Sequence, residues 1–535
     1  MTLRPAATGP SGIGAEVAAL VRDAAVVYDG DAHASALLAG YAQRLREPLR
    51  VAIAGMVKAG KSTLLNAIIG EEIAPTDTGE CTRIVTWYRY GDTPGITLYP
   101  ADPAAEPRSL PVRRSAGRLQ FDLGGFRAED VARLVVDWPA RSLRELTLID
   151  TPGIASLSTD VSARASSFLL PEDKPSEADA AVYLMRHLHA SDLNFLEAFR
   201  DTATGQSGTV NALAVLSRAD EIGAGRIDSL LSAAGIAERY RQDPGLRTLA
   251  LGVVPIAGLL AQSARTLRQR EFAMLRDVAR LDRNARERLL LSADRFVRAG
   301  GAGGTGGEAA GFGGTERERA ELLDRFGLFG IRLAAVLIRG GTADPTELAH
   351  ELARRSGLDD LLQLLAGQFR ARAEHLKART ALIGVEKLLR ERPRTGTAPL
   401  EAALERIQSN AHEFRELRLL ADARTAGLGL APADAREAER LIGGQGVGPA
   451  RRLGLDEDAT GAELRERALE SLHRWRALAA NPLTGRCAAG VCQVVQRSCE
   501  ALLTQLPPAP GRPQQEAAGK SGLPVPAGSV KAGVQ

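Results

Sequence analysis

Val51 to Ile69 reads VAIAGMVKAGKSTLLNAII. Its centre, Gly55-x-x-x-x-Gly60-Lys61-Ser62, has the spacing of a phosphate-binding loop, and that reading decides the fold. Glycines let the backbone curl until successive N–H groups face a phosphate, and a helix that starts on the loop favours an anion at its N-terminus. Lys61 is expected to neutralise the β- and γ-phosphates, and the Ser62 hydroxyl to take one position on Mg²⁺. The residues expected to hold the nucleotide here are Gly55, Lys58, Ala59, Gly60, Lys61, Ser62 and Thr63. An apolar, strand-like run, 49–54, leads into the loop, and Leu64 to Ile69 continues as a helix. A chance match in a glycine-rich chain would lack both flanks.

Outward from the loop, residues 47 to about 260 alternate strand and helix, the pattern of a parallel sheet with crossovers. Candidate strands are 50–54, 83–90, 146–150, 181–185, 212–216 and 249–255. Before the loop, two amphipathic helices are expected. The first shows Val17, Leu20, Val21, Ala24 and Tyr28 on one face, the second Leu37, Leu38, Tyr41 and Leu45, with a turn at 29–31. After about 261 the chain reads as charged helices, then a Gly-rich run at 299–315 that is expected to be flexible. Ser356-Gly357-Leu358-Asp359 resembles a capping box opening one long helix that ends before Pro393. A helix from Leu400 carries Leu404, Ile407, Ala411, Phe414 and Leu417 in a bundle-like rhythm, and helices at about 459–480 and 484–505 follow. The expected fold is an α/β P-loop domain, a mostly parallel sheet with helices on both faces, joined to an elongated antiparallel helical bundle. The division is 1–46 N-terminal helices, 47–370 nucleotide domain with an insertion at about 266–316, 371–506 helical region, and 507–535 a disordered tail.

Composition bounds the function. The chain of 535 residues is 44% hydrophobic and 25% charged, as in soluble globular proteins. The net charge of +3 carries no bulk nucleic-acid signal, so no nucleic-acid partner is expected. Only seven of the 68 basic residues are lysines, and Lys58 and Lys61 in the phosphate loop are two of them. Cys81, Cys487, Cys492 and Cys499 fit neither a zinc pattern nor a disulfide framework. No apolar run approaches the roughly 20 residues of a membrane span, so any membrane contact is expected to be peripheral, from the cytoplasm at the inner face of the cell membrane.

Three further elements favour GTP over ATP. In Leu148-Ile149-Asp150-Thr151-Pro152-Gly153, an Asp at the end of an apolar strand can hold the Mg²⁺ water shell, and Gly153 can offer its N–H to the γ-phosphate. In Ser217-Arg218-Ala219-Asp220, Asp220 can accept from guanine N1–H and N2–H₂, a donor pair that adenine lacks. Ser217 stands where Asn or Thr is usual, and Arg218 where Lys is usual; the Arg stem can cover the base and its plane can stack. In Pro75-Thr76-Asp77-Thr78-Gly79-Glu80-Cys81-Thr82-Arg83, Thr82 is the residue expected to close over Mg²⁺ and the γ-phosphate, with Thr76 and Thr78 as rivals. A last base-contacting loop is expected near 255–258. The metal set is thus Ser62, Thr82 and Asp150.

Taken together, Gly-x-x-x-x-Gly-Lys-Ser-Thr-Leu-Leu-Asn-Ala, Pro-x-x-x-Gly-x-x-Thr-Arg and Asp-Thr-Pro-Gly resemble the dynamin superfamily. The likeness is closest to bacterial dynamin-like proteins, especially actinobacterial ones, the isoniazid-inducible proteins among them, and covers most of 12–505. It implies a large, low-affinity GTPase that turns GTP into GDP, associates through its GTPase domains, swings a helical neck and stalk, and acts in membrane remodelling, fusion or repair. It also implies a second dynamin-like protein as a partner, since such proteins often occur in pairs.

Hydrolysis needs an oriented water and positive charge at the leaving oxygens. The position that often holds the water-orienting Gln of small GTPases is Ile154, and the dynamin Gln position is Val57; neither can serve. Lys58 stands where cation-activated GTPases often place an Asn beside K⁺, so it is expected to supply that charge itself when two GTPase domains meet, making Lys58, Lys61 and Thr82 the catalytic set; a Lys58 that points to solvent or to a carboxylate is the competing reading. For membrane contact the candidate stalk tip is 425–455, with Leu428, Leu430, Leu441, Ile442, Val447, Arg451 and Arg452. An ordinary inter-helix loop, with the chain acting through a soluble partner, is the alternative. An ATPase motor lacks support because no catalytic Glu follows Asp150, and an RNA-handling GTPase lacks a basic cluster. His187 and His189 are read as loop histidines.

Overall fold

The computed structural model describes residues 12–75, 83–102, 104–115, 118–153, 176–199, 211–223, 225–298, 314–410, 412–424 and 427–507. Thr76, Thr78, Cys81, Thr82, Ile154, Ala411, most of the Gly-rich run and nearly all of the C-terminal tail lie outside these residues. The strands are β1 (Leu49–Gly55), β2 (Thr86–Tyr90), β3 (Gly95–Pro100), β4 (Arg108–Leu110), β5 (Arg113–Ser115), β6 (Arg118–Gln120), β7 (Val131–Trp138), β8 (Leu146–Asp150), β9 (Ala180–Met185), β10 (Ala212–Ser217) and β11 (Val253–Ile256). Nine of them form one sheet in the order β11-β10-β9-β1-β8-β2-β7-β3-β4, and β5 and β6 pair as a separate hairpin. From β11 to β8 every pairing is parallel. β2 joins β8 antiparallel, and β3 and β4 extend that half antiparallel beyond β7.

The parallel half follows from residue type. β9 and β10 are buried along their whole length, as unbroken apolar strands with both faces covered must be. The other half was hidden from sequence inspection. β3, β4 and β7 lie outside the expected strands: β3 (GITLYP) begins on a glycine and ends on a proline, and charged residues interrupt β4 and β7.

The first two helices, α1 (Ile13–Val27) and α2 (Ala32–Arg46), pack on the later helices Ala373–Glu391 and Ala398–Asn410. Asp31 caps α2 by accepting from the His33 and Ala34 N–H groups. Gly384 is required where α2 crosses, because a Cβ there would lie 2.1 Å from the Tyr41 hydroxyl. The Tyr28 hydroxyl donates to the Arg392 carbonyl at 2.7 Å and ties the turn after α1 to the far end of that long helix. A second helical group, with Phe272, Leu275, Phe296, Leu322 and Phe326 at its centre, packs around the Gly258–Arg265 helix that follows β11.

Two expectations about the helices need correction. Ser356 does not open a capping box with Asp359. It ends the Pro345–Arg355 helix, its hydroxyl donates to the Ala353 carbonyl, and Gly357 takes the left-handed conformation before Leu358–Leu364. Gly357 also lies against β11, where a Cβ would come 2.2 Å from the Pro255 carbonyl oxygen. The expected long helix is broken at 365–372 by a π turn and a 3₁₀ turn before Ala373–Glu391 begins.

The second correction concerns 425–455, which is no free tip. Leu428, Leu441 and Ile442 are buried in the core that runs from the sheet face to Trp475 and Val495. The turn at 442–444 presents carbonyls to buried donors: Gln368 to Gly444 at 3.1 Å, and Arg372 to Gly443 at 2.7 Å. Arg424 donates to the Ala250 carbonyl, just before β11, at 2.8 Å and pairs with Glu439 at 3.1 Å. Arg452 is buried against Glu416, while Arg451 pairs with Glu457. Apolar residues and arginines that read as a membrane-seeking loop instead bind this helical region to the nucleotide domain.

Glu416 anchors the assembly. It accepts from Ser498 at 2.6 Å and pairs with Arg452 and His412. Burial pushes its carboxyl up, but His412, Arg452 and Ser498 outweigh burial and hold the pKa at about 2. Its stabilisation is therefore full above the unfolded glutamate value of about 4.3 and is lost as pH falls through about 2. Glu416→Gln should cost about 3 kcal/mol at neutral pH, measured by urea unfolding, because it leaves the Arg452 charge buried without its partner. The difference from wild type should shrink progressively below pH 4.

Candidate active site

β1, β8 and β10 run parallel, so their carboxyl ends lie at the same end of the sheet, where ligands of parallel α/β folds bind. After β1 the chain passes through 56–60 into α3 (Lys61–Ile69), whose N-cap is Gly60 in the left-handed conformation. Gly55 sits against β9 so closely that a Cβ would lie 2.4 Å from the Leu184 carbonyl oxygen. Ala59 is buried and Thr63 lies on the first turn of α3, with its methyl group 3.7 Å from where a Gly258 Cβ would stand. The expected base loop at 255–258 is thus held beside α3, and the Ala257 N–H donates to the Ser356 carbonyl at 2.9 Å.

The charged groups lie together. The Ser62 hydroxyl donates to Asp150 Oδ2 at 2.9 Å, and the other oxygen, Oδ1, is buried with no hydrogen-bond partner. Lys61 Nζ donates to the Gly55 and Met56 carbonyls, each at 3.2 Å. Burial pushes the Asp150 carboxyl above its ordinary range, against the pull of Lys61 and Ser62; burial also lowers Lys61, against the pull of Asp150. An anion that brings a cation would relieve both costs. Thr151 holds the strand end in place, its hydroxyl donating to the Ile53 carbonyl at 3.0 Å. Gly153 lies on the phosphate loop: a Cβ there would come 2.5 Å from Val57 Cγ2 and 3.0 Å from Val57 Cα. Thr82 lies outside the described residues.

At the end of β10, the buried Ser217 hydroxyl donates to the Met185 carbonyl at 3.1 Å, so it fixes the strand end and is turned away from solvent. Asp220 is half-buried, and burial pushes its carboxyl up; its own N–H and Arg218 lower it, and Glu221 raises it. Arg218 makes two contacts beside the expected base site. Its guanidinium donates through edge N–H groups to the Lys58 carbonyl at 3.0 Å and to Glu221 at 2.7 Å, which leaves its stem and its face to cover a base. Lys58 is exposed, as is the neighbouring Val57 at 45%. Lys58 and Arg218 both have positive φ, which costs a non-glycine residue about 1–2 kcal/mol. Sequence inspection singled out both residues but gave no sign of their contact.

Strand, phosphate loop, helix and the strand-end Asp150 define a P-loop nucleoside triphosphatase. Residues 51–189 match the profile of the dynamin family. Over 462 residues the chain is 41% identical to the isoniazid-induced protein IniC of Mycobacterium tuberculosis, an alignment spanning 86% of this chain and 91% of that protein. It is 34% identical over 142 residues to the isoniazid-induced protein IniA of the same organism, 24% of this chain and 21% of IniA. A bacterial dynamin-like protein of Nostoc punctiforme is 30% identical over 115 residues, 20% of this chain and 16% of that one. A solved structure described as an oligomerised bacterial dynamin pair aligns at 13% identity with a TM-score of 0.31, over 92% of this chain and 75% of that one. The chain belongs to the dynamin family. It is a dynamin-family GTPase, with GTP as substrate and GDP as product.

Gly153→Ala should push the loop at Val57 out of position. GTP turnover by phosphate release should fall at least tenfold while the melting temperature stays within a few degrees of wild type, since the site is at the surface.

Proposed function

We propose that the chain hydrolyses Mg²⁺-bound GTP at this site and uses the cycle to move its helical region against a partner, at the inner face of a bacterial cell membrane. The observation that carries the reading is the buried Asp150 Oδ1, unpartnered beside the Ser62 hydroxyl and the Lys61 ammonium. A hard cation with its water shell suits that oxygen donor set. Ser62 would be its direct ligand, Asp150 would hold its water, and Thr82 would close over it. When bound, Mg²⁺ neutralises phosphate charge as the γ-phosphoryl group leaves. Lys61 turns from its two carbonyls to the phosphates, Gly153 donates its N–H to the γ-phosphate, and Asp220 accepts from the guanine edge. Lys58 adds positive charge when two GTPase domains meet; its exposure, with that of Val57, leaves the loop open to a second copy.

For the membrane, the described helices include none long and apolar enough to cross, so contact would be peripheral. With 425–455 packed away, the most exposed large apolar side chain among the described residues lies in the turn between Gly461–Ala480 and Arg486–Gln505. Leu483 there is 92% exposed, three residues before Arg486. The second reading is a GTPase that meets the membrane only through a paired dynamin-like subunit; the smallness of that apolar point favours it.

Three measurements test these assignments. Asp220→Asn should weaken labelled GTP binding about 100-fold and gain xanthosine triphosphate, because the charged acceptor pair becomes one neutral acceptor and one NH₂ donor. Unchanged GTP affinity would remove Asp220 from base recognition. Lys58→Ala should slow turnover much more than it weakens GTP binding, and equal turnover would remove its catalytic role. In co-sedimentation with anionic liposomes, wild type should pellet with GTP and Leu483→Asp should not. No pelleting under any nucleotide condition would favour the paired-subunit reading.

A further inference from the structure

The nucleotide site lies at the carboxyl ends of β1 and β8. Toward the opposite end of β1, about 16 Å of strand from Gly55, Arg50 lines a separate cleft. The cleft has a volume of about 1450 Å³ and is walled by α2, by the starts of β1 and β8, and by the 366–377 part of the helical run. Its sheet side carries Trp87 on β2, Tyr99 on β3 and Arg133 on β7, and Tyr99 and Arg133 are cross-strand partners. Among the described residues, eight basic side chains line the cleft against four acidic ones, so it holds a surplus of positive charge.

The surplus falls on particular residues. Arg50 pairs with Glu47 at 2.7 Å and with Glu177 at 3.0 Å, Arg44 pairs with Asp179 at 2.6 Å, and Arg370 and Arg89 pair with Glu145 and Asp137. Arg133 and Arg144 have no carboxylate partner among the described residues and lie on aromatic rings instead. The Arg133 guanidinium is 4.6 Å from the Tyr99 ring centre and 5.2 Å from that of Trp87; Arg144 is 4.7 Å from the Tyr90 ring and donates to its hydroxyl at 3.0 Å. A guanidinium stacked on a ring keeps edge N–H groups for a further acceptor. The Nε groups of Arg50 and Arg133 are buried without one, and buried donors are ordinarily satisfied. From the helical side, the buried Lys377 ammonium gives two of its three N–H groups to the Leu45 and Glu47 carbonyls, at 3.0 and 2.7 Å.

We propose that this cleft binds a small soluble molecule with two or more linked phosphates, held by Arg133 and Arg144 of the nucleotide domain and Lys377 of the helical region. Guanidinium forks match phosphate oxygens in geometry and charge, and several unmatched cations call for more than one phosphate. Four carboxylates share the lining, which disfavours an extended anionic surface and favours a compact molecule. The bound molecule ties the start of the sheet to Ala373–Glu391, so it restrains the helical region relative to the nucleotide domain.

The probe is inorganic tripolyphosphate, titrated calorimetrically without Mg²⁺ into the full chain. The phosphate loop is taken out of the measurement in two ways, by Lys61→Ala and by saturating wild type with GDP. Tripolyphosphate should bind both, and adding Arg133→Gln or Arg144→Gln should weaken it about tenfold or more. Arg144 is exposed, so its variant keeps the test open should Arg133→Gln unfold the chain. Arg133→Lys, which keeps the charge and loses the fork, should recover part of the loss. Orthophosphate should bind at least about tenfold more weakly than tripolyphosphate. Absence of binding in both preparations, or binding that both glutamine variants leave unchanged, would overturn the proposal. Equal affinity for orthophosphate would overturn the linked-phosphate assignment. Pelleting with phosphatidylcholine–phosphatidylglycerol vesicles that Arg133→Gln abolishes, with no binding of tripolyphosphate, would overturn the soluble ligand and give the cleft to a lipid headgroup.

Discussion

One hydrogen bond, from the Ser62 hydroxyl to the half-buried Asp150, stands at the point where the rest of the site is assembled. It exists because β1 and β8 are parallel neighbours in register, with Ile53 opposite Asp150. The phosphate loop leaves β1 where β8 ends, so the first turn of α3 meets the carboxylate. The surrounding features follow from that meeting. Burial raises the pKa of the half-buried Asp150 and lowers that of the half-buried Lys61, and one carboxylate oxygen is left without a partner. Such a cluster is costly without a ligand, since burying charge is favourable only when it is paired and hydrogen-bonded. The binding energy of a phosphate-bearing ligand with its cation is available to offset that cost.

The helical half is built on the same sheet. The turn at 442–444 binds Gln368, at the break in the 358–391 helical run, and Arg424 reaches from the following helices to the Ala250 carbonyl before β11. The break, the turn and the end of the sheet thus form one polar junction inside a continuous apolar core. α1 and α2 pack instead on the other side of the break, on Ala373–Glu391. The 365–372 segment therefore separates two helical groups that share a single run of chain. A π turn is a local departure from regular helix geometry, and it lies where a change of direction would have to be accommodated.

The sequence reveals unequal shares of this. The parallel half of the sheet and the phosphate loop are legible because their signals are local: unbroken apolar strands, glycines at fixed spacing, an Asp after an apolar run. β3, β4 and β7 are less so, because a short or half-exposed strand differs little from a loop in composition. The 425–455 segment misleads for a physical reason. Leu441, Ile442 and Arg452 have the same chemistry whether they face lipid or a protein core, and only the partners at Gln368, Arg372 and Glu416 decide. In the site, residue types point to Lys61, Ser62, Asp150 and Asp220, but the contact between Arg218 and Lys58 is invisible, since it depends on two backbone conformations that the residue names argue against.

The central claim is that a guanine nucleotide and Mg²⁺ meet on the Ser62–Asp150 pair. Its most direct test is the initial rate of phosphate release from GTP and from ATP, with Mg²⁺ and with EDTA, for wild type and Ser62→Ala. The account predicts release from GTP alone, dependent on Mg²⁺ and strongly reduced in Ser62→Ala. Equal release from ATP, or release from GTP that survives EDTA and the Ser62 substitution, would contradict it.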